Sequence, residues 1–235
     1  MFNRIGIIGD VHAEDEHLEQ ALDFLGTADV DVLLCTGDIV DGRGDVNRCC
    51  EILLEHNVMT VRGNHDRWLL QDKARHVPNA HFIHDLNATA LDYIESLPTK
   101  LTIETASGQL MLCHGVADND LQKIWPGTER MPAERSKRLD EIIASEEYNL
   151  VINGHMHYRT MINFRSLTLL NAGTLRGEHH PGFSILDCAA DTITGYEFYP
   201  ELQEVRQHAV VKHENHVFEN TQDFESDWQP VTLYS

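Results

Sequence analysis

The sequence contains few cysteines, and their number and spacing exclude the common structural uses of thiols. They are odd in number and form no Cys-x-x-Cys pair, so neither a disulfide framework nor a thiolate zinc site is indicated. We expect all five to be reduced core residues: Cys35, Cys49, Cys50, Cys113 and Cys188. For the adjacent Cys49 and Cys50, which lie in a helical stretch, a redox-active pair is the alternative to packing.

Basic residues are also scarce. Only 18 Lys and Arg stand against 38 Asp and Glu, which gives a formal net charge of −20 at pH 7. A surface of this sign repels phosphate backbones and anionic lipids, so general nucleic-acid or membrane-surface binding is not expected. A small anionic substrate is still compatible with this charge if bound cations reverse the field locally.

Long apolar runs are missing as well. The opening "FNRIGIIGD" is too short for the apolar core of a secretory signal, and no later stretch reaches membrane-spanning length. We therefore predict a cytoplasmic protein that does not bind membranes. With 235 residues and no repeat or linker, we predict one domain over residues 1–235, with a peripheral extension from about residue 201. The sequence does not fix the oligomeric state.

The pattern of apolar residues predicts an α/β fold. The strand-like runs "RIGIIGD", "VDVLLCTGD" and "VMTVRGNHD" alternate with helical stretches, including "RWLLQDKA" after the third, which is typical of a parallel sheet with crossover helices. "KLTIETASGQLMLCHG" predicts a hairpin, and "MPAERSKRLDEIIASEE" a helix with Pro132 in its first turn. "RTMINFRSLTLLNAG", "FSILDC" and "DTITGYEFYP" suggest an antiparallel second layer. Two packed sheets flanked by helices follow.

Five of the predicted strands end beside a glycine that is accompanied by Asp, Asn or His. The segments are "GDVH" (9–12), "GDIVD" (37–41), "GNHD" (63–66), "HG" (114–115) and "GHMH" (154–157). In open α/β sheets, the carboxyl ends of strands are where ligands bind. Carboxylate, imidazole and amide oxygen without thiolate suit divalent ions such as Mn, Fe, Zn or Co. Gly154 is expected to permit the sharp turn before the two histidines.

These segments supply more ligand-type side chains than one ion needs. The candidates are Asp10, His12, Asp38, Asn64, His114, His155 and His157. A single shared carboxylate would let them serve two ions, and an ion pair about 3.5–4 Å apart is a recurring device for phosphoryl hydrolysis. The alternatives are that Asp10, Asp38 and Asn64 only cap helices, and that the paired histidines lie on the surface.

In this order, the five segments resemble the motifs of the calcineurin-like metallophosphoesterases. "NAGTLRG" (171–177), with Ala172 in place of a proline, is similar to a segment of that superfamily's small bacterial and archaeal phosphodiesterases. The resemblance implies a four-layer α/β/β/α sandwich with two divalent metal ions, Mn²⁺ first and Fe, Zn, Co, Ni or Mg as alternatives. It implies that Asp10, His12 and His157 hold one ion, that Asn64, His114 and His155 hold the other, and that Asp38 bridges them.

The resemblance also implies catalytic roles. His65 would lie beside the leaving-group oxygen and donate a proton, oriented by Asp41. A water whose pKa the ions lower from about 15.7 toward about 7 would attack phosphorus, without a covalent enzyme intermediate. The alternative for His65 and Asp66 is a surface turn in which Asp66 caps a helix or forms an ion pair.

The sequence departs from the protein phosphatases of that superfamily at one position. Their GDxxDRG motif has arginine directly after the second Asp, whereas here Gly42 stands there and Arg43 follows. Arg43, Arg176 and His179 are candidate substrate contacts, with surface roles as the alternative. Trp125 would either stack on an aromatic group of the substrate or pack its own loop.

The implied function is therefore a phosphodiesterase acting on small nucleotide-like or aryl diesters. The alternatives are a phosphomonoesterase resembling a protein phosphatase, a dinucleoside polyphosphate hydrolase and, from another class, a non-enzymatic scaffold that docks proteins. Three further histidines in the extension, His208, His213 and His216, would be solvated surface residues or adventitious metal ligands.

Overall fold

A computed structural model describes residues 1–126, 134–164, 166–198, 202–210 and 232–233. These residues form five α-helices: α1 Asp15–Thr27, α2 Val46–Glu55, α3 Asn64–Leu70, α4 Ala88–Ser96 and α5 Lys137–Ser145. They also form twelve strands: β1 Arg4–Ile8, β2 Val32–Cys35, β3 Met59–Thr60, β4 Lys100–Thr105, β5 Gly108–Cys113, β6 Leu150–Asn153, β7 Arg159–Asn163, β8 Thr168–Ala172, β9 Gly182–Asp187, β10 Thr192–Glu197, β11 Gln203–Ala209 and β12 Thr232–Leu233.

The strands form two mixed sheets. The first has the order β11-β10-β9-β1-β2-β3, and the second has the order β12-β7-β8-β6-β5-β4. In the first sheet β1, β2 and β3 are parallel, and β9 pairs antiparallel with β1. In the second sheet β5, β6 and β8 are parallel. Each sheet therefore contains three neighbouring parallel strands whose carboxyl ends point to the same edge, at one side of the first sheet and in the middle of the second.

Alternation along the strands divides the core into three apolar layers. In β6, Leu150 and Ile152 pack between the two sheets, whereas Val151 packs on the outer face of the second sheet with α5. In β1, Ile5 and Ile7 face the second sheet, while Ile8 joins the core under the helices. Helix α1 buries one stripe on the first sheet: Leu18, Ala21, Leu22 and Leu25. Helix–sheet, sheet–sheet and sheet–helix cores give the predicted α/β/β/α layers.

The strands after residue 157 do not form a separate antiparallel layer, so that part of the sequence prediction is wrong. β7 and β8 enter the second sheet, where β8 runs parallel to β6, while β9, β10 and β11 complete the first sheet. Period-2 alternation identifies a strand but carries no information about its partner. Tertiary packing determines which strands pair, and it places β7 and β8 in the second sheet and β9 to β11 in the first.

Two other predictions shift at their boundaries. Helix α3 begins at Asn64 itself and ends at Leu70, rather than running from Arg67 through Ala74. Pro132 lies outside the described residues, and the helix that follows begins at Lys137 with the Ser136 side chain accepting a hydrogen bond from the Leu139 backbone at 3.2 Å. In the C-terminal region, β11 is an edge strand that includes His208, whereas His213 and His216 lie outside the described residues.

The cysteines are confirmed as core residues. All five cysteines are buried and unpaired. Burial raises the thiol pKa of Cys49 and Cys50 well above its ordinary value, which disfavours a reactive thiolate and supports packing. Within the part of the chain that the structure describes, no helix has both the length and the apolar character needed to cross a bilayer.

Candidate metal centre

The five glycine-containing segments meet at one edge of the sandwich. Asp10 follows β1, Asp38 follows β2, and Asn64 opens α3 directly after β3. From the second sheet, His114 follows β5, and the two histidines of "GHMH" follow β6. Since parallel neighbours end at the same edge, residues far apart in sequence are brought together here. Asp10, Asp38, Asn64 and His114 are almost completely buried.

The predicted ligands for each ion are brought together in space. Asp10, His12 and His157 present ligand atoms that all lie within 4.8 Å of one another. Asp38, His114 and His155 form a second such group, and Asn64 adjoins it with Oδ1 3.0 Å from Nε2 of His114. A third group combines His12, Asp38 and His65.

Asp38 lies between the two groups. Its Oδ2 is 3.8 Å from Nε2 of His12 and 3.3 Å from Nε2 of His114. The backbone N–H of His65 donates to its Oδ1 at 2.8 Å, which fixes the carboxylate. One carboxylate in contact with both ligand groups is the arrangement that a shared ligand requires.

The imidazole hydrogen bonds point the ring nitrogens of His12 and His114 into the centre. Nδ1 of His12 is 3.2 Å from the carbonyl oxygens of Val40 and Asp41, which only accept, so Nδ1 carries the proton. Burial lowers the pKa of His12 to about 4, so its Nε2 is unprotonated and presents a lone pair toward Asp38. Nδ1 of His114 likewise donates to the carbonyl of Thr36 at 2.8 Å.

Electrostatics in the centre favour a cation. Burial raises the pKa of Asp10 to about 7, against the opposing charge of His114. Burial acts on Asp38 in the same direction, but His114, with His65 and His12, holds its pKa below the ordinary value. Burial also lowers the pKa of His155 to about 4 and that of His157 to about 3, which keeps both imidazoles neutral. The ionised Asp38 and the neutral His12, His155 and His157 are in the protonation states that bind metal, whereas a cation would displace the protons held on Asp10 and His114.

Two buried polar groups, His114 and Asn64, test whether the centre fits a metal ion. Burial lowers the pKa of His114, but Asp38 and Asp10 outweigh it and raise the pKa to about 10. A proton on Nε2 therefore faces Oδ1 of Asn64 and Oδ2 of Asp38, at the position where a cation would satisfy the same atoms. Nδ2 of buried Asn64 has no hydrogen-bond partner among the described residues, since its amide oxygen is turned toward the centre. The residues fit divalent metal ions.

The backbone at the centre is held in an unusual conformation. Several of its residues have φ in the left-handed region, with values between 46° and 70°: His12, Asp38, Asp41, His155 and His157. Such conformations are costly for residues with a Cβ and cluster at functional sites. The expectation for Gly154 needs correction here, because the turn is made by the two histidines. A Cβ on Gly154 would collide with Oδ1 of Asp10, so glycine is needed there for space.

The segment "NAGTLRG" supports the first ligand group. The Asp10 backbone N–H donates to the Gly173 carbonyl at 3.1 Å, and the Thr174 hydroxyl donates to the Asp10 carbonyl at 2.7 Å. The Asn171 side-chain amide donates to the carbonyl of Gly154. This segment thus fixes the backbone on both sides of the site, although none of these three residues appears in the ligand groups.

His65 and Asp41 form a hydrogen-bonded pair at the margin of the centre. Nδ1 of His65 lies 2.7 Å from Oδ2 of Asp41, and the His65 ring contacts that of His12 at a centroid distance of 4.9 Å. Burial acts to lower the pKa of His65, but the hydrogen bond to Asp41 and the charge of Asp38 raise it above its ordinary value. His65 is therefore disposed to carry a proton, and Asp41 fixes its ring.

Asp66 caps a helix, which is the structural alternative that the sequence suggested for it. Its side chain accepts hydrogen bonds from the backbone N–H groups of Gly63, Ile39 and Val40 at 2.9, 2.8 and 3.2 Å. It caps the first turn of α3 through the Gly63 N–H and ties the loop after β2 to that helix. Both loops carry site residues, so Asp66 fixes their positions relative to each other.

Sequence reasoning missed the groups that hold Asp41. Arg75 forms two hydrogen bonds to its carboxylate, from Nη1 to Oδ1 at 2.8 Å and from Nη2 to Oδ2 at 3.0 Å. The backbone N–H of His81 donates to the same Oδ1 at 2.9 Å, and Nδ1 of His81 accepts the N–H of Asp41 at 2.9 Å. These residues lie in the loop after α3, in a stretch with no motif, so no signal in the sequence pointed to them.

Replacing Arg75 with methionine is expected to lower the free energy of unfolding by about 3 kcal/mol, because it leaves a buried charge without its partner. The Arg75 side chain is 8% exposed and that of Asp41 is 0% exposed. Urea denaturation measures the change. Arg48→Met is the matched control, because Arg48 pairs with glutamates at an exposed surface and should cost less than about 1 kcal/mol. Equal losses in both variants would contradict a structural role for the Arg75–Asp41 pair.

The candidate substrate contacts differ in their partners. Arg43 is exposed and pairs with Glu178 at 3.3 Å. Arg176 pairs with the same glutamate at 3.3 Å, and its charge contributes to lowering the pKa of His12 and His157. The ring centroid of His179 lies 5.2 Å from that of His157. Lys123, which the sequence did not single out, contributes to lowering the pKa of His155.

The four-layer sandwich and its acidic, histidine-rich edge together define a metal-binding domain of the metallophosphoesterase type. The chain belongs to the calcineurin-like phosphoesterase superfamily, whose domain model matches residues 4–191. The family and the fold that the sequence predicted are thereby confirmed.

Solved structures share the fold, and a curated relative matches a short part of the chain. A metallophosphoesterase from Sphaerobacter thermophilus superposes with a TM-score of 0.62 at 22% identity, covering 87% of this chain and 89% of that one. An archaeal phosphodiesterase superposes with a TM-score of 0.52 at 18% identity, covering 86% and 98%. An uncharacterized protein of Methanocaldococcus jannaschii is 33% identical over 66 residues, which span 28% of this chain and 27% of that relative. At these identities the solved structures show the fold.

Proposed function

We propose that this protein is a metal-dependent phosphodiesterase that hydrolyses small nucleotide-like or aryl diesters. The observation that carries the proposal is the arrangement around Asp38, where two ligand groups meet and the His65–Asp41 pair adjoins them. Membership of the phosphoesterase superfamily supplies the general reaction. The metal count, the substrate class and the residue roles are our inference.

The ligand groups would hold two divalent ions, with Asp38 shared between them. When bound, such ions supply an activated water and neutralise charge that develops on the phosphoryl group. We propose Mn²⁺ first, as the family resemblance implies, with Fe, Zn, Co, Ni and Mg as alternatives, because carboxylate, imidazole and amide oxygen donors accept several of these ions. The chain itself holds the donors in place through the contacts of Asp10, His12 and His114 described above.

His65 would act on the leaving group. Its ring is fixed through Nδ1 by Asp41, so Nε2 is the nitrogen that would donate a proton to the departing oxygen. Arg75 and the His81 backbone keep the Asp41 carboxylate oriented toward that ring. Asp41, Arg75 and His81 therefore position the proton donor without touching the substrate.

The surroundings of the centre favour diesters over monoesters. A monoester phosphate carries up to two negative charges, and protein phosphatases of this superfamily grip it with arginine after the second Asp of the motif. Here Arg43 pairs with Glu178 at the exposed rim. A diester, with one negative charge, needs less cationic surface. Phosphomonoester and dinucleoside polyphosphate hydrolysis are the alternative activities.

The scaffold alternative is disfavoured by the intact proton-donor pair. A protein-docking domain has no need of His65 and Asp41 at 2.7 Å, or of a buried arginine that holds the Asp. Likeness of fold does not by itself distinguish the two classes. Because the formal charge is −20, we also propose that the substrate is small rather than a nucleic-acid duplex. As the sequence predicted, we propose that the protein acts in the cytoplasm.

Bis(4-nitrophenyl) phosphate with added Mn²⁺ is expected to be hydrolysed, and removal of metal with a chelator should abolish the reaction until the ion is restored. Release of 4-nitrophenolate measures the rate. Rates on 4-nitrophenyl phosphate and on a dinucleoside polyphosphate, measured in parallel, separate the three activities. Elemental analysis of protein purified without chelator gives the metal count. A metal-loaded protein that turns over no phosphate ester would contradict the proposed function.

A further inference from the structure

A set of aromatic side chains extends from the metal centre to the protein surface. The His179 ring contacts that of the proposed ligand His157, and the Tyr158 ring lies next, with its centroid 6.3 Å from that of His179. Trp125 packs edge-on against Tyr158 at a centroid distance of 5.8 Å. We call Trp125, Tyr158 and His179 the aromatic rim.

Tyr158 is the exposed member of the aromatic rim, and Trp125 and His179 are half-buried beside it. Its ring is 40% exposed, so a ligand can reach it from solvent. Tyr158 is followed by buried Arg159, which forms an ion pair with Glu197 at 2.5 Å. Trp125 lies between buried neighbours, and its backbone N–H and carbonyl both bond Glu134, at 3.1 and 2.9 Å. Rigid exposed rings lose little conformational freedom when a ligand stacks on them.

The position of the rim points to one arm of a diester. Attack on phosphorus proceeds in line, so the leaving oxygen lies opposite the attacking oxygen, and the retained ester oxygen lies off that axis. The proton donor His65 packs against His12 on one side and against Trp68 on the other, at 4.9 Å to each. The rim instead continues from His157, whose ring also contacts that of His12, at 4.8 Å. His65 and the rim therefore adjoin His12 through different rings, His65 directly and the rim through His157.

We propose that the aromatic rim binds a planar aromatic group, a nucleobase or an aryl ring, on the retained arm of the diester. This inference rests on the proposed function and specifies which part of the substrate it recognises. Stacking between rings supplies affinity without base-specific hydrogen bonds, so the rim would select aromatic over alkyl arms and discriminate weakly among bases.

Two diesters with the same leaving group test the proposal. Bis(4-nitrophenyl) phosphate carries an aromatic retained arm, whereas methyl 4-nitrophenyl phosphate does not. Tyr158→Ala should raise KM for the first by about tenfold, leave its kcat nearly unchanged, and have no effect on the second. Trp125→Leu should act in the same direction, and Tyr158→Phe should behave as wild type because the ring remains. Equal effects on both diesters, or no effect on either, would overturn the proposal.

Direct binding separates this inference from the proposed function. Metal-loaded protein is titrated calorimetrically with diphenyl phosphate and with dimethyl phosphate. Tighter binding of the diphenyl compound that Tyr158→Ala abolishes supports the rim, even if hydrolysis is not observed and the proposed function fails. Hydrolysis with no such preference overturns the rim alone. Leu54→Ala removes a side chain of similar exposure, 42%, on the surface of α2, and should change neither measurement.

Discussion

Asp38→Asn is expected to deprive the protein of both metal ions and of hydrolytic activity. The carboxylate lies between the two ligand groups, with Oδ2 3.8 Å from Nε2 of His12 and 3.3 Å from Nε2 of His114. Residues that only orient metal ligands already cost about 10–100-fold in affinity when they are replaced, so a shared ligand should cost more than about 100-fold. Elemental analysis after equilibration with Mn²⁺ measures the loss.

Thermal denaturation gives an independent readout of the same change. A bound ion stabilises the folded state, because the unfolded chain does not present a preformed site. Wild-type protein should therefore melt at a higher temperature with Mn²⁺ than without it, and Asp38→Asn should not. Asp31→Asn makes the same chemical change at an exposed carboxylate that bonds the backbone of Asn3 and Arg4, and it should keep the metal response. Retention of two ions per chain in Asp38→Asn would exclude Asp38 as the shared ligand.

His65→Ala is expected to reduce kcat by about 10²–10⁴-fold, the usual contribution of a general acid, while the metal content stays unchanged. The loss should be greater for an alkyl leaving group than for 4-nitrophenolate, because a poor leaving group depends more on protonation. Comparing the two leaving groups in wild type and variant measures this difference. His84→Ala, at a histidine whose side chain is 80% exposed, is the control and should leave the rate unchanged.

The His65 experiment also decides between two roles. His65 presents a nitrogen to the group formed with His12 and Asp38, as a metal ligand would. Loss of one ion in His65→Ala would identify it as a ligand, and an unchanged rate would remove it from the reaction. Asp41→Asn should show a smaller version of the same leaving-group dependence, because Asp41 acts only through the orientation of His65.

Much of the site was readable from the sequence because its residues lie at strand ends. "GDVH", "GDIVD" and "GNHD" each follow an apolar run and place polar side chains where a parallel sheet gathers them. The chemistry of Asp, His and Asn without Cys indicated divalent metal ions. The pairing of His65 with Asp41 was also expected, and the structure places them in hydrogen-bond contact.

Other features could not be read from the sequence. Arg75 and His81 lie in a loop without periodicity, and only folding brings them against Asp41. Gly154 was assigned a role in turning the chain, whereas its neighbours His155 and His157 adopt the left-handed conformation and the glycine makes space for Asp10. The strands after residue 157 were recognised as strands, but their distribution between the two sheets was not predicted.

The sequence by itself determined the α/β class, the family and the chemical kind of site, because periodicity and residue type are local properties that survive in a one-dimensional pattern. Only the tertiary structure decided that Arg75 and His81 hold Asp41, and that Trp125, Tyr158 and His179 line up beside His157. These facts are distances between residues that are remote along the chain. Packing of the two sheets sets such distances, and no short segment encodes them.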